Sequence, residues 1–418
     1  MSDVVSPVDC LVLGAGIVGV CTALHLQALG RSVVLVDRHG EAGLETSFGN
    51  AGLIERSSVV PYMFPREAGS ILRAALNQSA DVRYHFNALP QVLPWLARYF
   101  LASSPEGTAR TARAALPLIE RCLSAHRELM AAAGCGHLAR DTGWIKLYRT
   151  QGALDRAARE AGQLAPHGLK IDVLGQTQLA ALEPALAGGI GGVHYRDPVA
   201  ISDPAALSAA YARLFVARGG QLLAGDARSL RANSSGWTVQ AGTGQIFARE
   251  GVVCLGPWSN EILRPLGYRI PLEIKRGYHM HFGTRGNAVL NHPVLDAERG
   301  YLLAPVQRGI RLTTGAEFAR RNAGPTPVQL GMVEPVARAL FPLAERLDAT
   351  PWMGRRPCLP DMLPVIGPAL RHKGLWLNFG HQHHGLTLAA VTGQLLAQML
   401  AGAAPLCNPA PFSHARFG

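Results

Sequence analysis

The chain is predicted to be an α/β protein built on a discontinuous, doubly wound Rossmann-like domain. Three observations carry this. Residues 9–37 spell a complete β-α-β unit, an apolar strand near residue 253 ends on a glycine turn, and a last strand and helix run from residue 375 to about residue 400. At 418 residues the chain is too long for one ordinary core and suits two joined domains.

The first strand is the apolar run at 9–13. Asp3 and Asp9 stand where a signal peptide would carry basic residues, so the run is read as a strand. Gly14-Ala15-Gly16-Ile17-Val18-Gly19 follows, then a helical pattern through Leu29, with Gly30 where a helix C-cap glycine is expected. Gly14 allows the tight turn, Gly16 lets a pyrophosphate approach the backbone, and Gly19 lets helix and strand pack closely. The helix opens at Ile17 and Val18, where unpaired N–H groups and the helix dipole favour phosphate. The second strand, 32–36, ends in Asp37, an acceptor for ribose hydroxyls whose charge repels a 2′-phosphate. Arg38 follows it and is counted with the cofactor contacts. A bound dinucleotide is expected. The competing reading is a close-packed turn without a ligand, and the unit alone does not separate FAD from NAD.

Further along, Asp203-Pro204 reads as the N-cap and first residue of a helix to about Arg218. Strands are expected around 221–224, 237–241 and 251–255. A helix is expected between about 116 and 133, β-rich runs at 269–282, 301–305 and 310–316, and a helix opening near Pro327. The C-terminal helix repeats Leu386, Ala390, Gly393, Ala397 and Leu400 on one stripe, read as a face buried on another helix, with a membrane-surface helix as the rival.

Hydrophobic residues make up 48% and charged ones 17%, which fits a packed globular enzyme. The net charge of +11 is nearly all arginine, since the only lysines are Lys146, Lys170, Lys275 and Lys373. It is scattered, which favours anionic ligands and gives a weak pull toward acidic membranes. Nucleic acid is the competing partner, but its recognition motifs are absent. The seven cysteines show no CxxC or Cys/His metal spacing, as expected for thiols in a reducing, cytoplasmic compartment. No run of ~18 apolar residues predicts a membrane-spanning helix.

Four segments then bear on function: Thr46-Ser47-Phe48-Gly49-Asn50-Ala51-Gly52-Leu53; Val253-Cys254-Leu255-Gly256-Pro257-Trp258-Ser259; Gly354-Arg355-Arg356-Pro357-Cys358-Leu359-Pro360-Asp361 with Pro364, Ile366 and Gly367; and Gly380-His381-Gln382-His383-His384-Gly385-Leu386-Thr387. The first, read alone, is a small polar loop suited to binding a ligand through its backbone, or an ordinary surface loop. Together, in this order, they resemble the FAD-dependent D-amino acid oxidase and dehydrogenase superfamily, bacterial D-amino acid dehydrogenases above all, including the hydroxy-D-proline and D-proline subgroup. Pro257 departs from the alanine usual there.

The resemblance implies a discontinuous FAD-binding domain, placed at 1–60, 190–265 and 350–418, and an α+β substrate domain, at 61–189 and 266–349, whose antiparallel sheet roofs the flavin. It implies cofactor contacts from Thr46, Ser47, Asn50, Ala51, Gly52, Leu53, Gly256, Trp258, Gly380, His381, Gly385, Leu386 and Thr387. Arg356 is implied to hold the substrate carboxylate, a structural salt bridge being the alternative. Tyr278 and His279 are implied to lie over the flavin face, with strand-surface residues as the alternative, and His381 beside the ring or its loop. Glu317 is implied to be structural. Some relatives link flavin to a cysteine; Arg356 holds that position and Cys358 is two residues on, so dissociable FAD is expected. No carboxylate or cysteine joins the histidines at ligand spacing in the sequence, and no metal is expected.

The implied activity is oxidation of a small D-amino acid or cyclic imino acid, hydride passing from Cα to flavin N5. The imine would hydrolyse to a 2-oxo acid. The partners are the amino acid and an electron acceptor such as a quinone, with peripheral contact to the inner membrane face. An oxygen-using oxidase of the same fold, an NAD-linked dehydrogenase and a flavin-binding electron-transfer subunit stand as alternatives.

Overall fold

The first strand, Val8–Leu13, alternates its side chains between two cores. Cys10 and Val12 pack on one side and Leu11 and Leu13 on the other. This places it at the centre of a sheet covered on both faces. The computed structural model describes residues 8–66, 68–242 and 244–418. Val8–Leu13 lies parallel between Val33–Asp37 and Gly244–Val253, and Leu375–Phe379 adds in parallel beyond the latter. Val365–Pro368 closes that edge antiparallel. Gln221–Asn233 starts parallel to Val33–Asp37, then bends into a meander with Gly236–Ala241 and Gly244–Val253. These strands run longer than the sequence suggested, because the meander covers one face of the parallel sheet.

The helix Ile17–Ala28 ends as expected, with Gly30 at φ +76°. Asp203 caps the helix Pro204–Ala217, its Oδ1 accepting from the Ala206 N–H at 2.9 Å. The helix expected near 116–133 runs longer, Pro105–Ala132, through Pro117. The C-terminal helix Gly385–Leu400 buries Leu386, Ala390, Gly393 and Ala397, and a Cβ at Gly393 would stand 2.8 Å from the Thr22 nitrogen. The stripe therefore serves helix-on-helix contact with Ile17–Ala28, and the membrane-surface reading of this helix falls.

The second sheet has 11 strands and is mostly antiparallel. Its hub is Glu273–Thr284, which pairs with Gly309–Thr314, Ala316–Phe318, Leu343–Arg346 and Trp352–Cys358. Gly191–Tyr195 and Trp352–Cys358, expected with the cofactor domain, pair into this sheet instead. Sheet membership is set by partners distant in sequence, which segment-by-segment reading does not see.

One face of the hub strand carries a buried ion pair. Arg276 is fully buried and donates from Nε to Glu317 Oε2 at 2.7 Å. The same carboxylate accepts from the Tyr278 hydroxyl at 2.6 Å and from Thr326. Burial pushes the Glu317 carboxyl up, but the hydrogen bonds from Thr326, Tyr278 and Arg276 outweigh it and hold it below 4.5. Its contribution is thus present above pH ~4.5 and lost as pH falls through the lower folded value. Glu317→Gln leaves Arg276 buried without its counter-charge. Denaturant titration at neutral pH is expected to show a loss of about 3–5 kcal/mol; a loss within ~0.5 kcal/mol would refute the assigned role.

Candidate functional site

The turn at residues 14–19 is built by close contacts that only glycine permits. Gly14 sits at φ +100°, and a Cβ there would stand 2.6 Å from the Cys254 carbonyl oxygen. A Cβ on Gly19 would stand 1.8 Å from the Gly14 carbonyl oxygen. Asp37 Oδ2 accepts from the Ala15 N–H at 2.9 Å, and Ser47 Oγ from the Ile17 N–H at 3.0 Å. The small polar loop is therefore tied to the start of the first helix. Thr46 ties it to the second sheet, donating to the Arg355 carbonyl at 2.7 Å. Arg311 holds it from the roof, donating to the Asn50 carbonyl.

One cavity of about 1340 Å³ runs from this turn to the second sheet. Gly14, Gly16, Ile17, Val18, Asp37 and Arg38 line one end. Thr46, Ser47, Asn50, Ala51, Leu53, Gly256 and Trp258 line its length, as do His381, Gly385 and Leu386. Arg356, Tyr278 and His279 line it from the roof. The Arg38 guanidinium lies 4.2 Å over the Trp258 ring. Four expected contacts, Gly19, Gly52, Gly380 and Thr387, are not on its wall. Gly19 packs helix on strand. Gly52, at φ +79°, lies against the Ile201 carbonyl. Gly380, at φ +82°, lies against Leu359. Thr387 Oγ1 accepts from the Glu55 N–H at 3.1 Å and donates to the Leu53 carbonyl at 3.2 Å.

Strand alternation sorts the roof. Lys275, Gly277 and His279 share one face; Arg276 and Tyr278 share the other. The Tyr278 hydroxyl is spent on Glu317. Tyr278 thus borders the cavity without offering its hydroxyl to it. His279 stacks on Trp352 at 4.7 Å and 19° and bonds the Gly49 carbonyl at 3.3 Å. Trp352 fills space that side chains on Gly49 or Gly354 would occupy.

Arg356 donates to the Gly315 carbonyl at 3.0 Å, and among the described residues it makes no ion pair. The salt-bridge alternative therefore has no partner here. Cys358 lines the cavity too, but burial pushes its thiol up, which disfavours the nucleophilic thiolate. Gln382 takes φ +58° and donates and accepts across the loop: its N–H reaches the Pro357 carbonyl at 3.0 Å and its Oε1 accepts from Leu359 at 3.0 Å. Sequence reading passed it over; a residue forced to positive φ leaves no local signature.

Lys146, Lys275, Glu55 and His383 were likewise assigned no role, yet all four line the cavity. Glu55 corrects the expectation that no carboxylate joins the histidines. One ligand-type atom each from Glu55, His383 and His384 lies within 4.8 Å of the others. Glu55 feels Lys146, and His383 feels Arg356 and Lys275. That positive surround opposes a dication.

The residues fit a flavin dinucleotide. The cavity exceeds the ~300–1,000 Å³ of a drug-sized site, leaving room for a dinucleotide and a small substrate. Thr313 Oγ1, Asn378 Oδ1 and His383 Nε2, all on lining residues, are buried polar atoms without a hydrogen-bond partner among the described residues.

A family model described as "FAD dependent oxidoreductase" matches residues 9–399. A D-amino acid dehydrogenase of Methylobacterium nodulans is 30% identical over 97% of this chain and 98% of its own. A D-amino-acid oxidase of Bradyrhizobium diazoefficiens is 30% identical with the same coverage, 97% and 98%. The crystal structure of glycine oxidase from Geobacillus kaustophilus superposes with a TM-score of 0.73 at 20% identity, covering 98% of this chain and 99% of that one.

Gly14→Val is expected to release FAD, so that purified protein loses its yellow absorbance; retention at wild-type level would refute the cradle. His126, His279 and His381 are buried and held neutral, chiefly by desolvation, with pKa values near 4, 3 and 3. Folded values below the unfolded ~6.5 give stability that is present above pH 6.5 and lost as pH falls toward them. Each is expected to remove up to about 1.4 kcal/mol per pH unit in that window. A flat denaturation midpoint between pH 6.5 and 4.5 would contradict this.

Proposed function

The chain belongs to the FAD-dependent oxidoreductase family, and on that premise we propose that it is a D-amino acid dehydrogenase. The observation that carries this reading is one continuous cavity, walled at one end by the glycine turn and at the other by an arginine with no acidic partner among the described residues. FAD, when bound, supplies the hydride acceptor at its N5.

The chain's own residues do the rest. Arg356 takes the substrate carboxylate through its planar fork, using the N–H groups left over after Nη1 donates to the Gly315 carbonyl at 3.0 Å and Nη2 to the Thr314 carbonyl at 3.5 Å. That aims Cα–H inward. His279, stacked on Trp352 and kept neutral, is a rigid wall rather than a charge. His381 is anchored by Thr392 at 2.9 Å and steadies the loop 380–385 along the cofactor. The amine enters neutral, its proton having passed to solvent water. The imine product hydrolyses to a 2-oxo acid and ammonia. FAD is held without a covalent bond, Arg356 standing where some relatives carry the linking cysteine.

The electrons go to a carrier such as a quinone. Among the described residues no helix is long and apolar enough to cross a membrane. The helix Leu89–Ala102 exposes Leu93, Phe100 and Leu101, a surface suited to peripheral contact with the inner membrane face.

A panel of D- and L-amino acids with a dye acceptor is expected to show turnover of D-enantiomers without stoichiometric peroxide. Peroxide at one equivalent per turnover would make the protein an oxidase. Arg356→Ala is expected to keep the flavin and lower kcat/KM by a factor of ~30–1,000, mostly through KM, the worth of a charge-assisted bidentate contact at about 2–4 kcal/mol. An unchanged kcat/KM would remove Arg356 from the site.

A further inference from the structure

Lys275 and Arg356 are directly opposed across the antiparallel pair Glu273–Thr284 and Trp352–Cys358. Their side chains therefore leave the same face, and both line the cavity. Like charges in that relation repel. Among the described residues neither makes an ion pair. The acids near them are committed elsewhere: Glu317 lies on the opposite face with Arg276, and Glu273 accepts from the Ile274 N–H and faces Gln91. Cys358, also close, is a buried thiol and supplies no negative charge. Lys146 is different, since Glu55 faces it.

The Lys275 ammonium sits among three rings, 4.4 Å from the centre of Tyr99, 4.9 Å from Trp95 and 5.8 Å from Phe318. Burial, and then the neighbouring Arg356, pull the pKa of the Lys275 ammonium below its ordinary value. The ring cage works against that pull, since it stabilises a cation and gains little from a neutral amine. The chain uses 4 lysines among its 40 basic residues, so a compact ammonium at this position is not its usual choice. Two cationic side chains without an acidic partner among the described residues thus share one face of the cavity, and a single α-carboxylate compensates only one of them.

Building on the dehydrogenase reading, we propose that the substrate carries a second acidic group, Arg356 holding the α-carboxylate and Lys275 the other: an amino acid of the aspartate or glutamate class. The two acidic groups bridge the opposed cations and cancel their repulsion.

The test uses the holoenzyme. With a dye acceptor, D-glutamate and D-aspartate are compared with D-glutamine and D-asparagine, which match them in shape but lack the second charge. The acids are expected to exceed the amides in kcat/KM by roughly 10–150-fold, the worth of a hydrogen bond to a charged group. In Lys275→Met, or Lys275→Gln should the first fail to fold, that ratio collapses toward one. Calorimetric titration with glutarate and valerate reads the same preference without turnover, glutarate binding at least tenfold tighter. Equal kcat/KM for acids and amides in the wild type overturns the proposal. So does a Lys275 variant that lowers both by the same factor, which would make Lys275 a shared carboxylate contact, a base or a flavin partner. If glutarate is preferred yet no D-amino acid is oxidised, the dehydrogenase reading fails while the two-anion site stands.

Discussion

The contact that the rest of the molecule depends on is the crossing of the helices Ile17–Ala28 and Gly385–Leu400. At Gly393 the backbones come so close that a Cβ would meet the Thr22 nitrogen at 2.8 Å. Small residues let backbones approach where larger ones hold helices 8–10 Å apart. The crossing sets the turn at 14–19 beside the loop at 380–385, although nearly the whole chain separates them. Thr387 and Gln382 then fasten that loop to the Leu53–Glu55 segment and to the strand that carries Arg356.

Much of this was legible because some signals are local. The glycine turn, Asp37, the Asp203 cap and the strand Leu375–Phe379 each depend on neighbours within a few residues. Arg356 was legible by resemblance, and the cavity that contains it also contains the turn. Other features depend on distant partners. The phase of the hub strand shows that Tyr278 and His279 point to opposite sides, but only its pairing with Ala316–Phe318 and Trp352–Cys358 tells which side meets the cavity. Glu55 and His383 stand far apart in sequence and meet only once the crossing is made. Lys275 looked like one of four scattered lysines until the sheet set it opposite Arg356.

Electrostatics divide the cavity. The dinucleotide end relies on backbone N–H groups and helix polarity, with Asp37 closing the turn. The roof carries two cationic side chains, Lys275 and Arg356, beside imidazoles that burial keeps uncharged. Positive charge among neutral rings is poorly solvated there, which favours an anionic ligand over water. On the proposed function, phosphate is recognised by dipoles and carboxylate by ions.

The Arg276–Glu317 pair has a consequence beyond its own strength. A strand that slipped by one residue would turn its faces inside out. Arg276 and Tyr278 would then face the cofactor, and Lys275 and His279 would be forced against a buried carboxylate. An ammonium could still pair with Glu317, but it could not also reach the Ala323 and Gly324 carbonyls and Thr326 as Arg276 does, and the Tyr278 hydroxyl would be lost to the carboxylate, so the full bond set works as a key for alignment. Single-residue insertions or deletions anywhere in Glu273–Thr284 should therefore be excluded in functional descendants of this chain, even where they leave its hydrophobicity intact.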